Sequence, residues 1–257
     1  MLSAWLERWR DWRDEQHVAR HAIPDTLWQL TLLRHPFLAQ RSAADLARLR
    51  RLSSLFLATK EFHGANGFEV TDEIAVAVAA QACLPILYLG LQHYEGFVGI
   101  VMHEGEVVAR REVLDDDGIV HAYDEELAGE AMEGGPVMLA WQAVASSDDP
   151  ALVGTDAVYN VVIHEFAHVL DMEDGVADGV PLLASAAERE AWVAVIDPAW
   201  ERFCARVDAG EETLIDPYGA EAVEEFFAVA TEAFFIAPKE IQREEPELFA
   251  LLGGFYG

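Results

Sequence analysis

Apolar residues repeat at helical spacing over most of this chain. Residues 42–60 place leucine at positions 46, 49, 52 and 55, and Ser42 precedes them as a helix cap with Asp45 in the first turn. Similar spacing predicts further helices over 25–33, 74–89, 186–209 (bent or interrupted at Asp197-Pro198), 221–236 and 241–252. The chain is therefore expected to be rich in helices.

The pattern becomes β-like in the middle of the chain. Segments 97–103 and 106–114 flank Glu104-Gly105, which predicts a hairpin. The acidic turn 115–118 then leads into an extended segment at 119–123. A turn of this composition could bind Ca²⁺, but it lacks the length and the bidentate Glu of an EF-hand loop, so a solvated turn is favoured.

The apolar run 137–144 predicts another strand. It is either an interior strand or a sheet edge to which an extended peptide could add its own main-chain hydrogen bonds. Helices followed by strands and then by more helices are typical of an α+β fold. We expect a helical N-terminal segment over 1–60, packed on a core formed by 61–257.

The first residues carry tryptophans at near-helical spacing, at positions 5, 9 and 12. This favours a first helix packed on the body, with a docking arm as the alternative. No run of 7–15 apolar residues marks a signal peptide, and no stretch approaches the roughly 20 apolar residues of a membrane span. Two cysteines, Cys83 and Cys204, do not make a disulfide framework. We therefore expect a cytoplasmic protein without a membrane span.

The charge is strongly unbalanced, with 17 basic against 46 acidic residues and a formal net charge of −29. Such a surface repels phosphates, which argues against direct nucleic-acid binding. Solubility or adaptation to salt explains the acidity more simply than an acidic partner-binding surface does.

The candidate chemistry centres on His164-Glu165-Phe166-Ala167-His168, an H-E-x-x-H pattern. On a helix the two histidines lie one turn apart on the same face, so both imidazoles can reach one Zn²⁺ ion. Glu165 is then placed to accept a proton from a water that the metal activates. The alternative is an ordinary helix with two core histidines satisfied by backbone carbonyls.

A catalytic zinc site needs a third protein ligand. No histidine follows His168, so the candidates downstream are carboxylates. Asp174 has the spacing of a third ligand but lacks the preceding glycine turn. The better candidates are Glu221, Glu225 and Glu232, which share one stripe of an otherwise apolar helix, where a buried carboxylate requires a cation or other partner.

Several of these segments together resemble the Mlc titration factor A family of bacterial zinc peptidases. The segments are His164-Glu165-Phe166-Ala167-His168-x-x-Asp171, Pro217-Tyr218, 225–235, 67–73, 79–83 and 135–141. The catalytic core of this family is similar to that of anthrax lethal factor, a gluzincin. The resemblance implies a zincin-like core with a small mixed or antiparallel sheet and an active-site helix.

The resemblance also implies residue roles. His164, His168 and Glu225 would bind one Zn²⁺ per chain, Glu165 would act as general base, and Tyr218 would hydrogen-bond the developing oxyanion. Two further carboxylates are candidates from their spacing alone, because Asp171 and Glu232 could each orient a ligating imidazole. Asp171 could equally cap the helix or fix the loop that follows.

The implied activity is an aminopeptidase-like hydrolysis of peptides, together with binding of the glucose-regulon repressor Mlc. The rival class is a non-catalytic regulatory protein that sequesters a transcription factor and whose zinc site is structural or vestigial. Glu165 favours an enzyme, because a residue that does not bind the metal has no use in a structural site. A domain without any metal is the second rival.

Overall fold

A computed structural model of the chain describes residues 21–114, 120–147 and 157–257. Its described part begins with α1 (Asp25–Arg34), α2 (Pro36–Ala39) and α3 (Ala43–Thr59). The predicted cap of α3 is confirmed, because Oγ of Ser42 accepts a hydrogen bond from the Asp45 N–H at 3.1 Å. The tryptophan-rich start and the acidic turn 115–118 lie outside the described residues.

The described strands form two sheets. The six strands are β1 (Glu61–Gly64), β2 (Gly99–His103), β3 (Val107–Leu114), β4 (Val120–Leu127), β5 (Gly129–Ala131) and β6 (Val137–Ala140). One sheet has the order β1-β2-β6-β5, with the first three strands parallel and β5 antiparallel to β6. The second sheet is the antiparallel pair of β3 and β4. The fold is therefore α+β with a small mixed sheet, as predicted.

The predicted hairpin between 97–103 and 106–114 is wrong. β2 lies between β1 and β6, and its partners are Glu61–Gly64 and Val137–Ala140 rather than the segment that follows it. Its Ile100 and Met102 are fully buried, so the strand is held by core packing on partners distant in the chain. Local turn chemistry at Glu104-Gly105 could not reveal such partners.

The predicted helix over 74–89 is too long. α4 spans Asp72–Ala82, and residues 83–89 continue as hydrogen-bonded turns, such as that from the Leu87 N–H to the Leu84 carbonyl at 3.1 Å. Pro85 has no N–H to donate, which explains why the helix ends before it.

The run 137–144 divides between β6 and a short helix, α5 (Trp141–Ser146). Because β6 pairs with β2 on one side and β5 on the other, its interior alternative is the correct one. The described edge strand on this side of the sheet is β5.

The remaining helices are α6 (Val161–Asp171), α7 (Ala186–Asp208), α8 (Val223–Ile236), α9 (Pro238–Glu244) and α10 (Pro246–Tyr256). Two bounds differ from those predicted: α8 begins two residues after Glu221, and Pro246 starts a second helix within 241–252. Of the two alternatives at Asp197-Pro198, the interruption is wrong, because α7 continues through Pro198.

One contiguous hydrophobic core joins these elements. Trp28, Leu49 and Phe56 from the N-terminal helices belong to the same cluster as Phe166 of α6 and Phe226 of α8. The division of the chain at residue 60 stays a prediction. Within the described ranges, no helix combines the length and apolar character needed to cross a bilayer.

Candidate metal centre

The helix α6 presents two imidazoles to one point. Asn160 begins the helix, since its Oδ1 accepts a hydrogen bond from the Ile163 N–H at 2.9 Å. Thr155 and Asp156 are residue types that favour a helix cap and are candidates from the sequence, but they lie outside the described residues. One turn apart on α6, His164 and His168 bring their Nε2 atoms to 3.1 Å from each other.

The third donor comes from the first turn of α8. Oε2 of Glu225 lies 3.1 Å from Nε2 of His164 and 3.3 Å from Nε2 of His168. Among the described residues, these three side chains are the group arranged so that it could hold a metal ion. Glu221 precedes α8 and is exposed, and Asp174 forms an ion pair with Arg189 at 3.5 Å. The structure thus brings Glu225 to the histidines.

The three donor atoms fit the dimensions of a zinc site. A tetrahedral Zn²⁺ ion with ligand distances of about 2.0–2.1 Å separates its ligand atoms by about 3.3–3.4 Å. The observed separations are 3.1–3.3 Å. Two imidazole nitrogens and one carboxylate oxygen are a donor set that zinc accepts, and three protein ligands leave the fourth position open.

The charges of these groups also favour a cation. Burial alone would raise the pKa of Glu225, but hydrogen bonds from His164 and His168 lower it to about 2. Burial disfavours the charged form of His164, yet the Glu225 and Glu232 carboxylates outweigh it and hold the pKa of His164 well above its usual range. In the absence of a metal, a proton held by His164 supplies positive charge that these carboxylates require.

Glu232 contacts Nδ1 of His164, the ring nitrogen that does not face Glu225 and His168. Its Oε1 lies 2.8 Å from Nδ1 of His164, and its Oε2 accepts a hydrogen bond from the main-chain N–H of Asn160. The carboxylate is 1% exposed. A hydrogen bond at Nδ1 keeps a proton there, so Nε2 is the nitrogen whose lone pair becomes available for a metal once its own proton is lost.

Glu165 lies beside the three donors, against β5. It is 5% exposed, and burial raises its pKa. The α-carbon of Gly129 approaches its carboxylate so closely that a β-carbon there would lie 2.4 Å from Oε1. A carboxylate with a raised pKa is a better proton acceptor than an exposed one.

Tyr218 lies on a 3₁₀ turn, Pro217–Ala220, that precedes α8. The turn is fixed by Asp216, whose Oδ1 accepts a hydrogen bond from the Tyr218 N–H at 2.9 Å. The Tyr218 ring is 40% exposed, and its centroid lies 6.1 Å from that of His164. Tyr218 lines a cleft of about 210 Å³ together with Gly129, Glu165 and His164.

A larger cavity of about 580 Å³ lies between residues 65–69 and 103–108. None of the three donor residues lines this cavity, whereas His164 and Glu165 line the smaller cleft.

Asp171 fixes the loop after α6. Its Oδ2 accepts a hydrogen bond from the Gly179 N–H at 3.0 Å, and the indole N–H of Trp192 donates to the Gly179 carbonyl at 2.9 Å. This contact corresponds to the loop-fixing alternative that the sequence left open.

Two residues of this site were missed by the sequence reasoning. Asn160 could have been found as a cap residue directly before the apolar start of α6. Gly129 carries no comparable signal, because its role arises from the approach of a strand distant in the chain.

Comparisons with known proteins identify the family of this chain. A model of the glucose-regulated metallopeptidase family M90 matches residues 9–257. The chain belongs to this family. It is 36% identical to an uncharacterized protein of Synechocystis sp. over 250 residues, which cover 96% of this chain and 89% of that protein.

Relatives with a functional name are similar over nearly the same length. Mlc titration factor A of Cronobacter sakazakii is 33% identical over 249 residues, or 96% of this chain and 90% of that protein. Mlc titration factor A of Escherichia fergusonii is 32% identical over 225 residues, or 86% and 82% of the two chains. The resemblance to the Mlc titration factor A family is confirmed, and this M90 member is a metallopeptidase-like protein.

Proposed function

We propose that this protein is a zinc-dependent peptidase with aminopeptidase-like activity. His164, His168 and Glu225 bind one Zn²⁺ ion, and Glu165 is the general base. The observation that supports this most strongly is the convergence of three donor atoms within 3.1–3.3 Å, with the buried Glu165 at their side.

A bound zinc ion would acidify a water molecule and polarise the scissile carbonyl. Glu165 would be the group that accepts a proton from the attacking water and passes it to the leaving amine, so its carboxylate would be regenerated after each turnover. The Tyr218 hydroxyl donates a hydrogen bond to the oxygen that becomes negatively charged. Glu232 keeps His164 in the tautomer that leaves Nε2 available.

The peptide substrate pairs with the outer side of β5. This strand is one of the two described edges of the four-stranded sheet, its Gly129 contacts Glu165, and the Ala131 backbone hydrogen-bonds the Glu165 carboxylate. Main-chain hydrogen bonds to an edge strand hold an extended peptide with little dependence on its sequence. The absence of a side chain at residue 129 leaves room for Glu165 between the strand and α6.

A second role is binding of an Mlc-type repressor in the cytoplasm, as suggested by the name of the relatives, Mlc titration factor A. Such binding is compatible with catalysis or could replace it. The two cases differ in Glu165, which a purely sequestering protein does not need.

Metal analysis and an assay on amino-acid anilides test the proposal together. We expect about one zinc per chain and hydrolysis that a chelator abolishes and zinc restores. Glu165→Gln keeps the size of the side chain, so it should retain zinc while hydrolysis falls by roughly 10²–10⁴-fold. Full activity in a metal-free preparation would overturn the assignment, and bound zinc without hydrolysis would favour the regulatory role.

A further inference from the structure

A chain of buried polar groups leads away from the metal centre, beyond Glu232. It passes from Glu232 to Asn160, from Asn160 to Gln81 on α4, and from Gln81 to His35 between α1 and α2. All four residues are at most 3% exposed. Buried polar side chains of this kind are costly unless each finds a partner.

Backbone groups that contact Asn160 and Gln81 determine the direction of the hydrogen bond between these two side chains. Oδ1 of Asn160 accepts from the Ile163 N–H at 2.9 Å, so its amide nitrogen is the group that donates to Oε1 of Gln81, at 2.7 Å. The amide nitrogen of Gln81 in turn donates to the Ala77 carbonyl at 3.1 Å. Reversing either amide would place two donors or two acceptors face to face.

His35 is the next residue of this polar chain, on the side away from the metal centre. Its Nε2 lies 3.4 Å from the Gln81 amide nitrogen, which is a donor, so this Nε2 acts as the acceptor when the ring proton is on Nδ1. The segment that joins α1 to α2 therefore contacts the polar chain that ends at His164.

Asn160 connects the polar chain to the metal centre. Its side chain caps α6 and binds Gln81, while its main-chain N–H donates to Oε2 of Glu232. The contact with Gln81 and the cap on Ile163 both anchor the Asn160 side chain, so together they help to hold residue 160 and the N–H from which Glu232 accepts. The other oxygen of Glu232 then binds Nδ1 of His164 at 2.8 Å.

We propose that Gln81, acting through Asn160 and Glu232, is a positioning residue for His164. This inference rests on the proposed metal site. It assigns a role in the metal centre to a helix outside the H-E-x-x-H and glutamate helices. Hydrogen bonds in a buried network strengthen one another, so the loss of Gln81 should change the position of His164.

Gln81→Met keeps the length of the side chain and removes both its donor and its acceptor. We expect the dissociation constant for zinc, measured by chelator competition, to rise roughly 10-fold, as for other residues that orient ligands. Asn160→Ser retains a good helix cap and the main-chain N–H but loses the contact with Gln81. It should weaken zinc binding in the same direction, and it provides a second test if Gln81→Met fails to fold.

The matched control is Ser53→Ala. Ser53 is buried in the same core and donates to the Leu49 carbonyl at 2.8 Å, with the Ala79 carbonyl of α4 at 3.4 Å, but neither contact is part of the polar chain that reaches Glu232. The control should lower the Tm while the zinc dissociation constant stays within about a factor of two. The visible spectrum of the Co²⁺-loaded protein should change in Gln81→Met and stay unchanged in Ser53→Ala, because it reports the ligand arrangement.

A double-mutant cycle tests whether Gln81 acts on His164 through Glu232. In a Glu232→Gln background, Gln81→Met should have little further effect on zinc affinity, because the link to His164 is already broken. Fully additive effects, or a Gln81→Met variant that loses stability and keeps the wild-type zinc affinity and cobalt spectrum, would overturn the inference. A wild-type protein that binds no zinc would instead overturn the proposed function.

Discussion

Gly129 on β5 and Glu165 on α6 approach so closely that no side chain fits between them. A β-carbon at residue 129 would lie 2.4 Å from Oε1 and 2.6 Å from Cγ of Glu165. The atoms in its way belong to a side chain that can rotate, so the fold can accommodate a methyl group by displacing the carboxylate.

Gly129→Ala should therefore reduce kcat/KM for a peptide anilide by roughly 100-fold, the cost of moving a catalytic group by about 1 Å. Zinc content should stay near the wild-type value. Gly254→Ala is the control, because a β-carbon there meets nothing within 4 Å. Wild-type activity in Gly129→Ala would show that the position of Glu165 does not matter.

Tyr218→Phe should lower kcat by roughly 10²-fold, the typical loss when one donor to an oxyanion is removed. KM and zinc affinity should change little, since the ring of Tyr218 is retained and Tyr218 is not among the three donor residues. Tyr88→Phe, whose hydroxyl binds Asp45 instead, should behave as wild type. An equal loss in both variants would assign Tyr218 a structural role.

Glu225→Ala should weaken zinc binding by more than the roughly 10- to 100-fold that follows the loss of an orienting residue. Glu224→Ala is the adjacent control. Glu224 is half-buried one residue away, and the group of converging donors does not include it. Zinc content measured on both variants decides which carboxylate is the ligand; the reverse order would move the ligand to residue 224.

Asp171 should make the stability of the metal-free protein depend on pH. Burial raises its pKa to about 6 in the folded chain, against about 3.9 when unfolded. Between these values the folded state holds a proton that the unfolded state has lost, so the free energy of unfolding falls as pH rises through this window.

Asp171→Asn removes that titration and keeps an oxygen for the Gly179 N–H. Its gain in stability over wild type should grow by about 1 kcal/mol between pH 5 and pH 7.5 in denaturant unfolding. Asp208→Asn, at an exposed residue, controls for the change in net charge. A gain that is the same at both pH values would contradict an ionised, buried Asp171.

The sequence predicted the parts of the site that local periodicity determines. Residues four apart on one helix must share a face, so His164 and His168 could be paired without a structure. The apolar surroundings of 221–236 marked its carboxylates as candidates, and the resemblance selected Glu225 among them. Helix caps such as Ser42 could be predicted in the same way, because they depend only on residues a few positions away.

Features that depend on distant partners could not be predicted. β2 pairs with β1 and β6 because its buried face fits theirs, and nothing near Glu104-Gly105 indicates this. The contacts of Gly129 with Glu165 and of Gln81 with Asn160 join segments separated by 36 and 79 residues. Only the packed fold brings them together.

The central claim is that one zinc ion is bound between α6 and α8. The most direct test is a crystal structure of the protein grown with zinc, with anomalous diffraction recorded at the zinc absorption edge. We expect one peak within about 2.0–2.2 Å of Nε2 of His164, Nε2 of His168 and a carboxylate oxygen of Glu225. A zinc-loaded crystal without that peak, or with Glu225 turned away from both imidazoles and no protein group in its place, would contradict the account.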